Sequence, residues 1–125
     1  MAGLAGIQGE ELVARYLQQK GYRLTARNYR CRFGEIDIIA LCGQYIVFVE
    51  VKTRKAGALV SGAEAVGPAK RRRIISAAML YLEEHPTRLQ PRFDVAQVLL
   101  PEGGKPGGVH YLENAFVLEE GNGIF

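Results

Sequence analysis

Tryptophan is absent from this 125-residue chain, and cysteine, histidine and methionine occur only twice each. Cys31 and Cys42 are too few for a disulfide scaffold, and they lack the paired spacing of a zinc site. No apolar run approaches the roughly 20 residues that span a bilayer, and the N-terminus lacks the charged and apolar regions of a signal peptide. These absences predict a cytoplasmic protein with reduced thiols and without a membrane partner.

The composition that is present is typical of one globular domain. Hydrophobic residues make up 48% of the chain and charged residues make up 23%, and a chain of this length has no room for two ordinary cores. We predict a single domain over residues 1–118 and a loose tail over residues 119–125.

Basic side chains are concentrated in the first three quarters of the chain. Residues 1–92 hold 15 of the 16 Lys and Arg residues but only 8 of the 13 Asp and Glu residues. One cluster contains no acid and includes Arg23, Arg27 and Arg30, and a second cluster occupies residues 70–73. Such patches suit nucleic acid, because each neutralised phosphate releases condensed counterions. A solvated basic face is the alternative interpretation.

Hydrophobic periodicity predicts the element order α-β-β-β-α-β-β. Helical spacing of apolar residues covers 7–20 and, after a proline at the favoured first helical position, 68–84. Runs rich in β-branched residues predict strands over 23–28, 35–41 and 45–52, then around 93–98 and over 109–112. Residues 55–67 are predicted to form a loop of small residues. This order predicts an α/β fold in which helices flank a mixed sheet.

The Gly-Gln pair at 43–44 predicts a two-residue hairpin turn between the second and third strands. The resulting register places Asp37 directly opposite Glu50, with Cβ atoms roughly 4.5–5.5 Å apart, and Glu35 opposite Lys52. Two carboxylates so close repel each other unless a cation or a shared proton lies between them. The alternative is a surface network in which Lys52 bridges Glu35 and Glu50.

A third carboxylate is predicted to reach the same place. Glu10 lies on the apolar stripe of the first helix, with Ile7, Val13 and Leu17, and so points toward the core. Carboxylate oxygens suit Mg²⁺ or Mn²⁺ rather than zinc. A lysine beside such a site can orient water or stabilise the charge that develops on a phosphoryl group. The pattern therefore indicates phosphodiester hydrolysis.

Four segments resemble the signature of the YraN-like family of bacterial proteins: Gly-Glu at 9–10, Gly-Glu-Ile-Asp at 34–37, Phe-Val-Glu-Val-Lys-Thr-Arg at 48–54 and Arg-Phe-Asp at 92–94. That uncharacterised family is similar to archaeal Holliday junction resolvases within the PD-(D/E)xK restriction-endonuclease-like superfamily. The resemblance covers roughly residues 6–116 and implies a restriction-endonuclease-like α-β-β-β-α-β core. It also implies that Glu10, Asp37 and Glu50 are metal ligands or supporting acids, with Lys52 as the catalytic lysine.

We therefore predict an endonuclease, dependent on Mg²⁺ or Mn²⁺, that hydrolyses DNA, with branched or otherwise structured DNA as one substrate class and DNA favoured over RNA. The alternative is a non-catalytic nucleic-acid-binding module that recruits a partner enzyme. Resolvase-like cleavage would need a homodimer, and the sequence leaves the oligomeric state open. Arg92 and Asp94 are interpreted as a local ion pair. The predicted nucleic-acid contacts are Arg23, Arg27, Arg30, Arg54, Lys70, Arg72 and Arg73.

Overall fold

The structure is a computed structural model that describes residues 4–55, 62–100 and 107–117. Its helices are α1 (Leu4–Gln19), α2 (Gly62–Ala65) and α3 (Pro68–Glu84). Its strands are β1 (Arg23–Cys31), β2 (Gly34–Cys42), β3 (Tyr45–Lys55), β4 (Gln90–Leu100) and β5 (Val109–Phe116). The predicted domain boundary at 118 and the predicted tail lie outside the described residues.

The five strands form one sheet in chain order, β1-β2-β3-β4-β5. Neighbouring strands are antiparallel except for β3 and β4, which are parallel. A parallel pair requires a crossover connection, and α3 lies on that crossover. The predicted α/β fold with a mixed sheet flanked by helices is confirmed.

Each face of the sheet is covered by one long helix. Because strand side chains alternate between faces, β3 contributes to two separate cores. The core on the α3 side includes Phe48, Ile75, Tyr81 and Phe93. The core on the α1 side includes Val13, Leu17, Val47 and Val49. Within the described ranges, no helix is long and apolar enough to cross a membrane.

Several predicted boundaries were wrong. Ile7 does not belong to the buried stripe of α1, since 55% of it is exposed. β1 and β5 are longer than predicted, because pairing with β2 and β4 extends segments whose own hydrophobic patterns are weak. The predicted loop at 55–67 contains α2, and Ala65 at its end is buried in the α3-side core. Residues 56–61 of that loop lie outside the described part of the chain.

Candidate active site

The predicted hairpin register is confirmed over its first five pairs, from Cys42–Tyr45 to Ile38–Val49. Gly43 supplies the positive φ that the turn requires, at 59°. Beyond Ile38–Val49 the carboxylate of Asp37 takes over the role of a strand partner. The backbone N–H of Val51 donates to Asp37 Oδ2 over 2.8 Å.

This change coincides with a break in the alternation of β2. Ile36 packs in the α3-side core and Ile38 packs in the α1-side core, although a regular strand would direct both to one face. In β1, Asn28 lies in the left-handed region with φ 53°. The predicted direct opposition of Asp37 and Glu50 is thus replaced by an inserted side chain. The assumption of a regular pleat is the reason for the difference.

Asp37 and Glu50 nevertheless meet as predicted. Glu50 is buried, with 5% of its surface exposed, and a side-chain hydrogen bond joins it to Asp37. Burial and then the negative charge of Glu50 raise the pKa of Asp37 to about 8, although the N–H of Val51 acts in the opposite direction. The raised pKa favours the protonated form of Asp37 at neutral pH, which reduces the repulsion between two carboxyl groups that lie close together.

Two ammonium groups approach one oxygen of Glu50. Lys52 Nζ lies 3.4 Å from Glu50 Oε2, and Lys70 Nζ lies 3.5 Å from the same atom. The contact with Lys52 follows from their positions on one strand face. The contact with Lys70 was not predicted, because it depends on how α3 packs against the end of β3. Two features of the sequence point to this end of the sheet, namely the crossover after β3 and the basic cluster at 70–73.

Glu10 and Glu35 form the outer part of this acidic site. With its amide nitrogen turned toward them, Asn28 donates to Glu35 Oε1 over 2.9 Å and to Glu10 Oε1 over 3.1 Å. Burial and then the charge of Glu35 raise the pKa of Glu10, and Glu50 adds a smaller contribution. The alternative network, in which Lys52 bridges Glu35 and Glu50, is confirmed for Glu50 and wrong for Glu35. Glu35 pairs instead with Arg30 Nε at 3.5 Å.

Gly9 allows α1 to approach the sheet closely enough to deliver Glu10. A Cβ atom at this position would lie 3.2 Å from Thr53 Oγ1 and 3.6 Å from Val98 Cγ2. A separation of 3.2 Å is tighter than the great majority of real Cβ contacts. The Gly-Glu pair therefore combines a close approach with an acid that faces the same site.

The chemistry of the donor set fits a hard divalent cation. Magnesium is commonly held by one or two carboxylates together with water and substrate phosphate, and Asp37 with Glu50 supplies such a pair. Among the residues described, no group of three or more His, Cys, Asp or Glu side chains is arranged to hold a metal ion. A direct metal–Glu10 bond stays a prediction.

The predicted nucleic-acid contacts fall into two groups. Arg23, Arg72 and Arg73 are exposed, and Arg73 Cβ lies next to Gly34 at the start of β2. The others contact the protein itself. Arg27 donates to Glu11 over 2.9 Å, and Arg54 donates to the carbonyl of Ala65 over 3.2 Å, while Arg30 and Lys70 form the ion pairs given above.

The local ion pair of Arg92 and Asp94 is confirmed. Asp94 is fully buried and accepts from Arg92 Nε at 3.0 Å and from a terminal guanidinium nitrogen at 2.8 Å. It also accepts from Tyr111 Oη at 2.6 Å and from the backbone N–H of Asn114 at 2.9 Å. These four bonds satisfy the carboxylate, and the two from Tyr111 and Asn114 join β4 to β5, so this group supports the sheet.

Comparisons with known proteins agree with the resemblance found in the sequence. A family model described as "Uncharacterised protein family UPF0102" matches residues 9–98. A "UPF0102 protein" from Syntrophus aciditrophicus is 45% identical over 118 residues, which cover 93% of this chain and 91% of the relative. Another from Nocardia farcinica is 48% identical over 102 residues, covering 81% and 80% of the two chains. A third, from Alkaliphilus metalliredigens, is 43% identical over 117 residues, covering 93% and 100%.

Proposed function

Because the chain belongs to the uncharacterised protein family UPF0102, also called YraN-like, whose description names no activity, we propose a function from its own site. The protein is a nuclease, dependent on Mg²⁺ or Mn²⁺, that hydrolyses phosphodiester bonds in DNA. One observation carries this proposal. Two carboxyl groups, Asp37 and Glu50, share a hydrogen bond in a largely buried position, and the ammonium group of Lys52 lies 3.4 Å from Glu50.

Asp37 and Glu50 are the residues that would hold the cation. When bound, a divalent cation polarises the phosphate and helps to generate hydroxide from water. Asp37 would have to give up its proton to hold the cation, because carboxylate ligands must be deprotonated. The N–H of Val51 fixes the orientation of that carboxylate. Glu10 lies further out and adds negative charge at the rim.

Lys52 serves the reacting phosphate directly. In the reaction, a water oxygen attacks phosphorus and one P–O ester bond breaks. The departing sugar oxygen takes up a proton, which leaves one hydroxyl end and one phosphate monoester end. Negative charge grows on the phosphoryl oxygens on the way, and a fixed ammonium group beside them stabilises that charge.

The substrate is proposed to be DNA, with branched or structured DNA as one class. The exposed arginines of α3, Arg72 and Arg73, support a polyanionic partner, since each phosphate contact releases counterions. The proposal places the protein in the cytoplasm, where thiols such as Cys31 and Cys42 stay reduced. Cleavage of paired strands at a junction would require a homodimer with two such sites.

The test is a cleavage assay on linear, flapped, splayed and four-way-junction DNA under Mg²⁺ and, separately, under Mn²⁺. We expect cleavage by the wild type and loss of cleavage in Lys52→Ala. Lys20→Ala is the matched control, because it removes an exposed lysine at the end of α1. Failure of the wild type to cut any of the four substrates would contradict the proposal.

A non-catalytic nucleic-acid-binding module that recruits a partner enzyme is the second candidate. The observation in its favour is the pair of exposed arginines on α3, Arg72 and Arg73, which suit a polyanionic partner whether or not the protein cuts it. Such a module would bind DNA without cutting it, and Lys52→Ala would only slightly reduce the affinity for DNA. A nuclease would lose cleavage in that variant while DNA binding survives.

A further inference from the structure

Lys70 reaches the site from α3, whereas Asp37, Glu50 and Lys52 belong to β2 and β3. We propose that Lys70 is a second active-site lysine, which neutralises Glu50 in the resting protein and binds the phosphate of the substrate during turnover. This inference rests on the proposed function and deepens it. It assigns to Lys70 a role distinct from that of Arg72 and Arg73 on the same helix, which face solvent.

The geometry is specific to one carboxylate oxygen. Lys52 Nζ and Lys70 Nζ lie 3.4 and 3.5 Å from Glu50 Oε2. Only 6% of the Glu50 side chain is exposed, whereas 39% of the Lys70 side chain is exposed. The carboxylate is therefore fixed in the protein, while the lysine that reaches it from α3 retains access to solvent.

The charges at Glu50 leave one of the two ammonium groups without a carboxylate of its own, since Glu10 and Glu35 contact Asn28 and Arg30 instead. A single carboxylate cannot neutralise two ammonium groups, and like charges so close to each other repel strongly in a partly buried site. An incoming phosphodiester supplies the negative charge that the surplus ammonium lacks. Lysine suits this exchange, because its charge sits at the end of a flexible four-carbon chain.

Lys70 is the more exposed of the two lysines, with 39% of its side chain exposed against 32% for Lys52. It lies in the first turn of α3, after Pro68, where a positive charge opposes the helix macrodipole unless an anion is bound. Lys52 is held two residues from Glu50 on the same strand. A phosphate beside the N-terminus of α3 would reduce the repulsion between Lys70 and Lys52. Its negative charge would also interact favourably with the helix dipole.

A consequence is that cation and phosphate assist each other's binding. A divalent cation that arrives alone at Glu50 meets two ammonium groups and is repelled by both. When phosphate draws Lys70 away, that repulsion is reduced. Removal of Lys70 should therefore strengthen the binding of a cation alone and still weaken cleavage, a combination that a purely structural lysine would not produce.

The experiment measures melting of the full chain against Mn²⁺ concentration without DNA, and cleavage in parallel. For Lys70→Met we expect an apparent Kd for Mn²⁺ roughly three- to tenfold lower than that of the wild type, and cleavage about a hundredfold slower. Lys70→Arg keeps the charge and should retain the wild-type Kd. Lys20→Met, which makes the same substitution at an exposed lysine outside the site, is the matched control and should change neither value. Lys70→Gln replaces Lys70→Met if the latter melts early without metal.

The outcomes separate the two proposals. If the wild type neither responds to Mn²⁺ nor cuts DNA, the proposed nuclease is wrong and the role of Lys70 falls with it. If the wild type does both and Lys70→Met matches Lys20→Met, the role of Lys70 alone is overturned. Weaker Mn²⁺ binding in Lys70→Met also overturns it, because a residue that competes with the cation cannot strengthen cation binding.

Discussion

Asp37 accepts a hydrogen bond from the backbone N–H of Val51, 2.8 Å away, at the point where the β2–β3 ladder ends. The Asp37 side chain thus accepts a backbone hydrogen bond from β3 at a position where the backbone of β2 no longer pairs with it. The same carboxyl group contacts Glu50. Because Asp37 belongs both to the strand and to the proposed metal site, a substitution that keeps the acceptor for Val51, such as Asp37→Asn, tests the site while the strand contact is retained.

Asp37→Asn should remove most of the stabilisation that a divalent cation gives. The amide oxygen can still accept from Val51, but a neutral amide is a poorer ligand for a hard cation. At a hundredfold excess over Kd the wild type should gain about 2.7 kcal/mol, seen as a rise of several degrees in Tm with a few millimolar Mn²⁺. Glu11→Gln, which changes an exposed acid on α1, should keep the full rise. A wild-type Tm that ignores the cation would remove the main physical support for the nuclease.

Without a cation, Asp37 should make stability depend on pH in a defined direction. Its pKa is raised from 3.8 to about 8 in the folded protein, so the folded state binds the proton more tightly than the unfolded state. Stability from this group is complete below about pH 4 and is lost as the pH rises through about 8. Asp37→Asn, which has no proton to lose, should overtake the wild type in Tm by a few degrees at pH 9. Parallel wild-type and variant curves from pH 5 to pH 9 would contradict the raised pKa.

The exposed arginines of α3 should appear in the salt dependence of DNA binding. The logarithm of affinity falls linearly with the logarithm of salt concentration, by about 0.9 per phosphate contact on duplex DNA. Arg72→Gln combined with Arg73→Gln should flatten this slope by up to about two units. The double variant Arg15→Gln with Arg88→Gln removes the same charge from other exposed positions and should leave the slope unchanged. Equal slopes for the two double variants would identify the α3 arginines as a solvated face.

Gly9→Val should displace α1 from the sheet and destabilise the protein. The new Cβ would lie 3.2 Å from Thr53 Oγ1, and overpacking of this kind costs about 1–3 kcal/mol. Gln8→Val introduces the same side chain at an exposed position one residue earlier and should cost little. Denaturant unfolding measures both. Equal stability of the two variants would contradict the close packing of α1 against the sheet at Gly9.

The parts of the site that local rules govern could be predicted from the sequence. A two-residue turn fixes the register of its hairpin, so Ile38–Val49 and the nearness of Asp37 to Glu50 followed from residues close together in the chain. The pairing of Arg92 with Asp94 followed in the same way, because residues two apart on a strand share a face.

The parts that depend on tertiary packing could not be predicted. Lys70 reaches Glu50 because of where α3 packs along the strands of the sheet, and no local sequence pattern specifies that position. The break in β2 at Asp37 occurs beside Asn28, whose left-handed backbone is the kind of conformation that Asn tolerates better than most residues. Ile7 is exposed although it lies on the spacing of the buried stripe, so helical periodicity alone does not identify which turns of α1 are buried.

β1 is an edge strand, and its exposed residues include three arginines, at positions 23, 27 and 30. An edge strand presents unpaired backbone groups that can recruit strands of other molecules, and charged side chains oppose such association. The arginines therefore protect the protein from edge-to-edge aggregation whether or not they touch DNA. Any substitution that neutralises them changes the solubility of the protein as well as its affinity for DNA. Light scattering before each binding measurement shows whether weaker binding results from aggregation or from the loss of a DNA contact.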